Sequence, residues 1–120
     1  MSWTPITFEE INDMILLTEE ELSGDHLNFL ELIKIYPEKW NEETHGKEGR
    51  GFWVVGLIGR KVIYYNDIEE GFNISEYKTY GVIEEYFCHQ DALRHAVQRL
   101  FDLIKFGGNV QGHSRLPINM

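Results

Sequence analysis

His89, Asp91 and His95, with Cys88 just ahead of them, are the only metal-type ligands that stand close together in this chain. A metal site needs such groups to converge, which on a helix means a spacing of three or four. His89 and His95 are six apart, so a helix would not present them on one face. No H-E-x-x-H and no C-x-x-C pattern accompanies them. The plainer reading makes His89 and Asp91 the opening of a helix, His95 a surface residue and Cys88 a small buried hydrophobe. A nucleophilic Cys88 would need a cationic neighbour or a helix N-terminus to hold its thiolate. His89 is next to it, but neighbours on an extended chain point to opposite faces.

Carboxylates are the second candidate. Asp67, Glu69 and Glu70, with Asn66, crowd one turn-prone segment. Such a group serves either as a hard-cation site or for general acid–base work. The alternating ligands of a calcium loop are missing, and adjacent glutamates in a turn are ordinarily just solvated. The glycines of Gly46–Gly51 lack phosphate-loop spacing and precede a strand-like run rather than a helix. The expectation is therefore no catalytic residue, no resident metal and no cofactor.

Charge is the most lopsided property of the chain. Met1–Glu43 holds eleven acidic residues against Lys34 and Lys39, a balance of −9. Thr44–Met120 holds nine acids and nine bases. Direct nucleic-acid binding is a poor fit, because phosphate contacts need clustered Lys and Arg. An acidic front end fits a basic protein partner, which it would attract by electrostatic steering. Within it, Glu19, Glu20 and Glu21 run together, and Glu42 and Glu43 follow Trp40. With Asp67, Glu69 and Glu70 these form the expected partner-binding set. Tyr77 and Tyr80, aromatics in a polar stretch, are the expected exposed anchors.

The elements that must position these groups follow from pattern. Thr7-Phe-Glu-Glu10 is a capping-box helix start. Phe8, Ile11, Met14, Ile15 and Leu22 recur at helical spacing behind it. A second helix is predicted from about Asp25 to Ile35, capped by Ser23 or Asp25, with Leu27, Phe29, Leu30 and Ile33 inward. It stops before Pro37, and Pro37–Trp40 reads as a short turn. Asn41–Arg50 reads as a solvated loop. Phe52–Ile58 and Val62–Tyr65 are strands joined by Gly59-Arg60, with glycine where a II′ hairpin wants it. Phe72–Ser75 is a short extended piece, and Gly81–Phe87 is predicted as a third strand at an edge. A last helix opens at Gln90 or Asp91. Its stripe is Leu93, Ala96, Val97, Leu100, Phe101 and Ile104, and Gly107 ends it. Residues 108–120 read as an irregular tail.

The fold class expected is α+β. A small antiparallel sheet of about three strands would be packed by two N-terminal helices and one C-terminal helix. A length of 120 residues suits one domain: an acidic helical part (1–43), a sheet (51–87) and a helix (90–106). One cysteine precludes an internal disulfide and points to a reducing compartment. With no leader-like N-terminus and no apolar run near the length of a membrane span, a cytoplasmic protein with no membrane contact is expected.

The segment Tyr65-Asn-Asp-Ile-Glu-Glu-Gly-Phe-Asn73, with Phe52-Trp-Val-Val, Tyr80-Gly-Val-Ile-Glu-Glu-Tyr and Gln90-Asp-Ala-Leu, resembles a small family of uncharacterised bacterial proteins. The resemblance covers about half the chain and implies no particular activity. In size and charge the chain also resembles the immunity proteins of toxin systems, which implies a non-catalytic protein that neutralises a basic partner. Two alternatives stand beside this. One is a small metal-binding or enzymatic domain using His89, Asp91 and His95. The other is a homodimer formed where the Gly81–Phe87 edge strand pairs with its own copy.

Overall fold

The computed structural model describes residues 4–43 and 51–107. The tail expected over residues 108–120 and most of the loop expected over 41–50 lie outside the described residues. The element order is α1 (Phe8–Glu21), α2 (Gly24–Ile33), β1 (Lys34–Trp40), β2 (Phe52–Ile58), β3 (Lys61–Asn66), β4 (Gly71–Glu76) and α3 (Leu93–Phe106). The strands form one antiparallel sheet in the order β1-β2-β3-β4. The fold is α+β with four strands, one more than the sequence pattern suggested.

Helix α1 starts as its capping box dictates. The Glu10 amide donates to Thr7 Oγ1 at 3.1 Å, and the Thr7 amide donates to Glu10 Oε1 at 2.9 Å. Helix α2 has Ser23 at its N-cap, with no hydrogen bond from the hydroxyl to the helix. It ends at Ile33, and the chain passes directly into β1. Pro37–Trp40, expected as a turn, is therefore strand. Proline is tolerated because β1 is an edge strand and Pro37 falls where its register against β2 shifts, between Lys34 and Glu38, so it has no paired residue in the ladder. The β2–β3 hairpin turns at Gly59-Arg60, with Gly59 at φ +60°.

Period-two alternation divides the sheet into two faces. Val55, Ile63, Tyr65, Phe72 and Ile74 point to the helices, where they meet Ile11, Ile15, Leu30, Ile33, Ala96, Val97 and Leu100. Trp40, Phe52, Val54, Val62 and Tyr64 point the other way and pack with Ile83. Gly81–Phe87, expected as a third strand, is not one. It belongs to an irregular strap, residues 77–92, that runs over this second face. The Asn41 amide donates to Gly81 O at 2.9 Å at one end, and the Phe72 amide donates to Asp91 O at 2.9 Å at the other. The strap therefore begins beside the end of β1 and finishes on the outer edge of β4. With no regular strand at Gly81–Phe87, edge-to-edge pairing of that segment with a second copy loses its structural basis.

Candidate functional site

The strap explains most of the polar residues buried in the sheet. An irregular chain carries backbone groups that no ladder satisfies, so side chains must meet them. Tyr64 hydroxyl donates to Glu85 O at 3.0 Å and accepts from the Phe87 amide at 2.8 Å. Asn66 Nδ2 donates to Phe87 O at 3.0 Å. Asn73 grips His89 from both sides, accepting from its amide at 2.9 Å and donating to its carbonyl at 3.1 Å. Ser75 Oγ accepts from the Glu85 amide at 3.0 Å. Burial pushes the Tyr64 phenol well above its usual range, so it stays a neutral donor. Gly71 lies directly beneath the strap: a Cβ there would sit 2.2 Å from His89 O.

This fixes where the chemistry-bearing residues stand. His89 is held by its backbone, with its ring edge-on to Phe87 at 6.1 Å between centroids. Asp91 pairs with Arg99, while His95 and Cys88 are exposed. Among the described residues, no group of three or more His, Cys, Asp and Glu converges as a metal would require.

The acidic loop between β3 and β4 is likewise structural in part. Asn66 Oδ1 accepts from the Ile68 and Glu69 amides at 3.1 and 3.2 Å, closing the turn. Asp67 Oδ2 accepts from the Ile6 amide at 2.9 Å and ties the chain ahead of α1 to this loop. Burial raises the Asp67 carboxyl above the usual range, against the Ile6 hydrogen bond and the nearby Lys39 charge. Glu69 is half-buried, and Glu70 is exposed at φ +61°.

Along α1, the three glutamates of the last turn are dealt out to different neighbours. Glu19 pairs with Lys34, which also reaches Glu31 at 2.9 Å. Hydrogen bonds to Glu19 and then Glu31 hold the Lys34 ammonium above its ordinary range. Glu21 pairs with Arg94 of α3 at 3.1 Å. These two pairs offset the unfavourable placing of anions at a helix C-terminus. Glu20 lies between them, exposed. Glu42 is buried and Glu43 is exposed. Tyr77 and Tyr80 sit over Trp40, with ring centroids 5.0 and 4.7 Å from it. Tyr80 remains largely exposed, and its hydroxyl donates to Glu38 at 2.8 Å. The Tyr77 hydroxyl donates to Gly59 O, which makes it a brace for the hairpin.

The most unusual surface is the outer face of α1. Leu16 and Leu17 are 51% and 55% exposed at the middle of the helix. Glu9, Asp13 and Glu20 surround them, all exposed. Their carboxylates form no ion pair with any described residue. Hollows flank the two leucines. One, of about 280 Å³, lies between Leu16 and the Tyr36–Pro37 stretch of β1. The other, of about 320 Å³, lies between Leu17, the β3–β4 turn and the start of α3. Leu16, Leu17 and Tyr36, itself 79% exposed, were not among the expected anchors. The signal was present: Met14-Ile-Leu-Leu17 is a run of four apolar residues, and a helix can bury only about half of such a run.

No protein-family model, no curated protein and no solved structure matches this chain. Among the described residues, no helix is long and apolar enough to cross a membrane.

Proposed function

We propose that this chain is a non-catalytic protein-binding module, of the immunity or inhibitor kind, that neutralises a basic partner through the acidic face of α1 and its surroundings. The observation that carries the reading is the set of exposed acids on α1 without an ion-pair partner among the described residues. The charge balance of Met1–Glu43 puts the chain's net negative charge in the same region. Exposed like charges on one face cost folding energy through mutual repulsion, and a cationic partner relieves that cost. Glu20, Glu43 and Glu70 are free to meet such a partner as they stand. Glu19 and Glu21 would have to exchange Lys34 and Arg94 for it, and Asp67 is committed to the Ile6 amide. The separation of His89, Asp91 and His95 weighs against the metal-dependent alternative.

The test is affinity capture from the native host at low and at high salt, with the retained proteins identified by mass spectrometry. A strongly basic protein retained at low salt and released at high salt is the expected result. Recovery of no basic protein at low salt overturns the reading.

A further inference from the structure

We infer that the Leu16–Leu17 pair on α1 is the apolar anchor of an interface, and that its occupant is a cationic segment of another protein with apolar side chains set between its Lys and Arg residues. The inference rests on the basic-partner reading and adds the place and the form of the contact. Protein interfaces place an apolar centre inside a charged or polar rim, and a few central side chains carry most of the affinity. The outer face of α1 has that arrangement. Asp13 and Glu20 are the i−3 and i+3 neighbours of Leu16 and Leu17 respectively, so the acids bracket the pair along the helix. The hollows on either side give an incoming apolar side chain somewhere to enter.

Charge selects among occupants. A second copy docking by a two-fold axis would bring Glu9, Asp13 and Glu20 against themselves. An anionic membrane surface or a nucleic acid would meet the same repulsion. A cationic amphipathic segment satisfies both halves of the surface. It covers the leucines and pairs the acids, as in the binding of an amphipathic helix to a groove.

The test uses two synthetic peptides of equal positive charge. In one, leucines at helical spacing form an apolar stripe between the arginines; in the other, serines replace those leucines. Each is titrated into the full-length protein at low salt and followed by amide chemical shifts. The striped peptide is expected to shift residues along α1 and to bind about tenfold more tightly than the serine peptide. Leu16→Ser combined with Leu17→Ser should remove that advantage and lower the thermal midpoint only modestly, leaving a cooperative unfolding transition, since both side chains are half-exposed. Glu20→Lys, a second variant that leaves the leucines in place, should weaken both peptides. Equal binding of the two peptides overturns the anchor while leaving the basic-partner reading intact. So does an unaffected leucine variant. Binding of neither peptide, or a dimer in sedimentation that the leucine variant dissolves, overturns the occupant.

Discussion

The two faces of the sheet are covered in different ways. On one, three helices pack with Ile11, Leu30, Ala96, Val97 and Leu100 against Val55, Ile63 and Ile74, and the contacts are almost wholly apolar. On the other, a strap of irregular chain lies over Trp40, Phe52, Val62 and Tyr64, and it is held by polar side chains. A helix bonds its own backbone, so it asks its partner only for apolar surface. A strap has amides and carbonyls to spare, so the sheet beneath it must supply donors and acceptors. Tyr64, Asn66, Asn73 and Ser75 alternate with the helix-facing residues of β3 and β4 for this reason. The helix face should therefore fail by cavity formation. The strap face should fail by steric intrusion or by loss of single hydrogen bonds.

The largest effect is expected at Gly71. In Gly71→Ala the added Cβ would stand 2.2 Å from His89 O and 2.3 Å from Gln90 Cα, both backbone atoms. A loss of about 4 kcal/mol is expected, in the range reserved for severe single changes. Urea unfolding reads the loss, and faster hydrogen exchange at the Phe72 and His89 amides shows that the strap has been displaced. Wild-type exchange at those amides would sink the strap's assigned role.

Leu100→Ala tests the helix face. Leu100 is fully buried, and its truncation should cost about 3 kcal/mol in urea unfolding. Here the strap amides should keep their relative protection, since nothing that holds them is touched. A smaller effect is expected from Tyr64→Phe, about 2 kcal/mol. It deletes one hydroxyl that both donates to and accepts from the strap backbone. If Tyr64→Phe leaves both stability and exchange at Phe87 unchanged, the polar clamp contributes little and the two faces differ less than their composition suggests.

The legibility of this fold in the sequence follows the same divide. The helices and the β2–β3 hairpin announce themselves by local rules: a capping box at Thr7, a turn at Gly59, a C-terminal glycine at Gly107. The strap announces nothing, because its conformation is set by side chains far away in sequence. Its Val-Ile-Glu-Glu-Tyr-Phe composition is β-like, so it reads as a strand although it pairs with no ladder. β1 was hidden for a related reason. Its proline suggests a break, and the sheet edge together with the register shift before Glu38 makes that proline harmless. The Tyr65–Asn73 segment holds the clamp residues Asn66 and Asn73, the tether Asp67 and the close-approach Gly71. Its polar residues looked like candidates for chemistry, yet most of them build structure. The candidate site was legible as charge, not as shape: the acids of α1 were evident, while Leu16 and Leu17 among them stood outside both the apolar stripe and the expected anchors.

Asp67 is where the polar half of the comparison reaches the acidic end of the molecule, and its effect is the smallest of those expected. Its carboxylate is half-buried, and its raised pKa means that the folded state holds the proton more tightly than the unfolded chain does. For an acid shifted in this direction, the contribution to stability is greatest below the unfolded value. It declines as pH rises through the folded value and stays lower above it. Asp67→Asn keeps an oxygen to accept from the Ile6 amide and removes the ionisation. The variant should therefore gain on the wild type as pH rises from the ordinary carboxylate range towards neutrality, where the native carboxylate becomes charged at a desolvated site. Thermal midpoints across that range measure it. A variant that instead loses ground as pH rises would show that attraction between Asp67 and Lys39 outweighs the burial of the charge, and that the loop is stabilised by its acids rather than in spite of one of them.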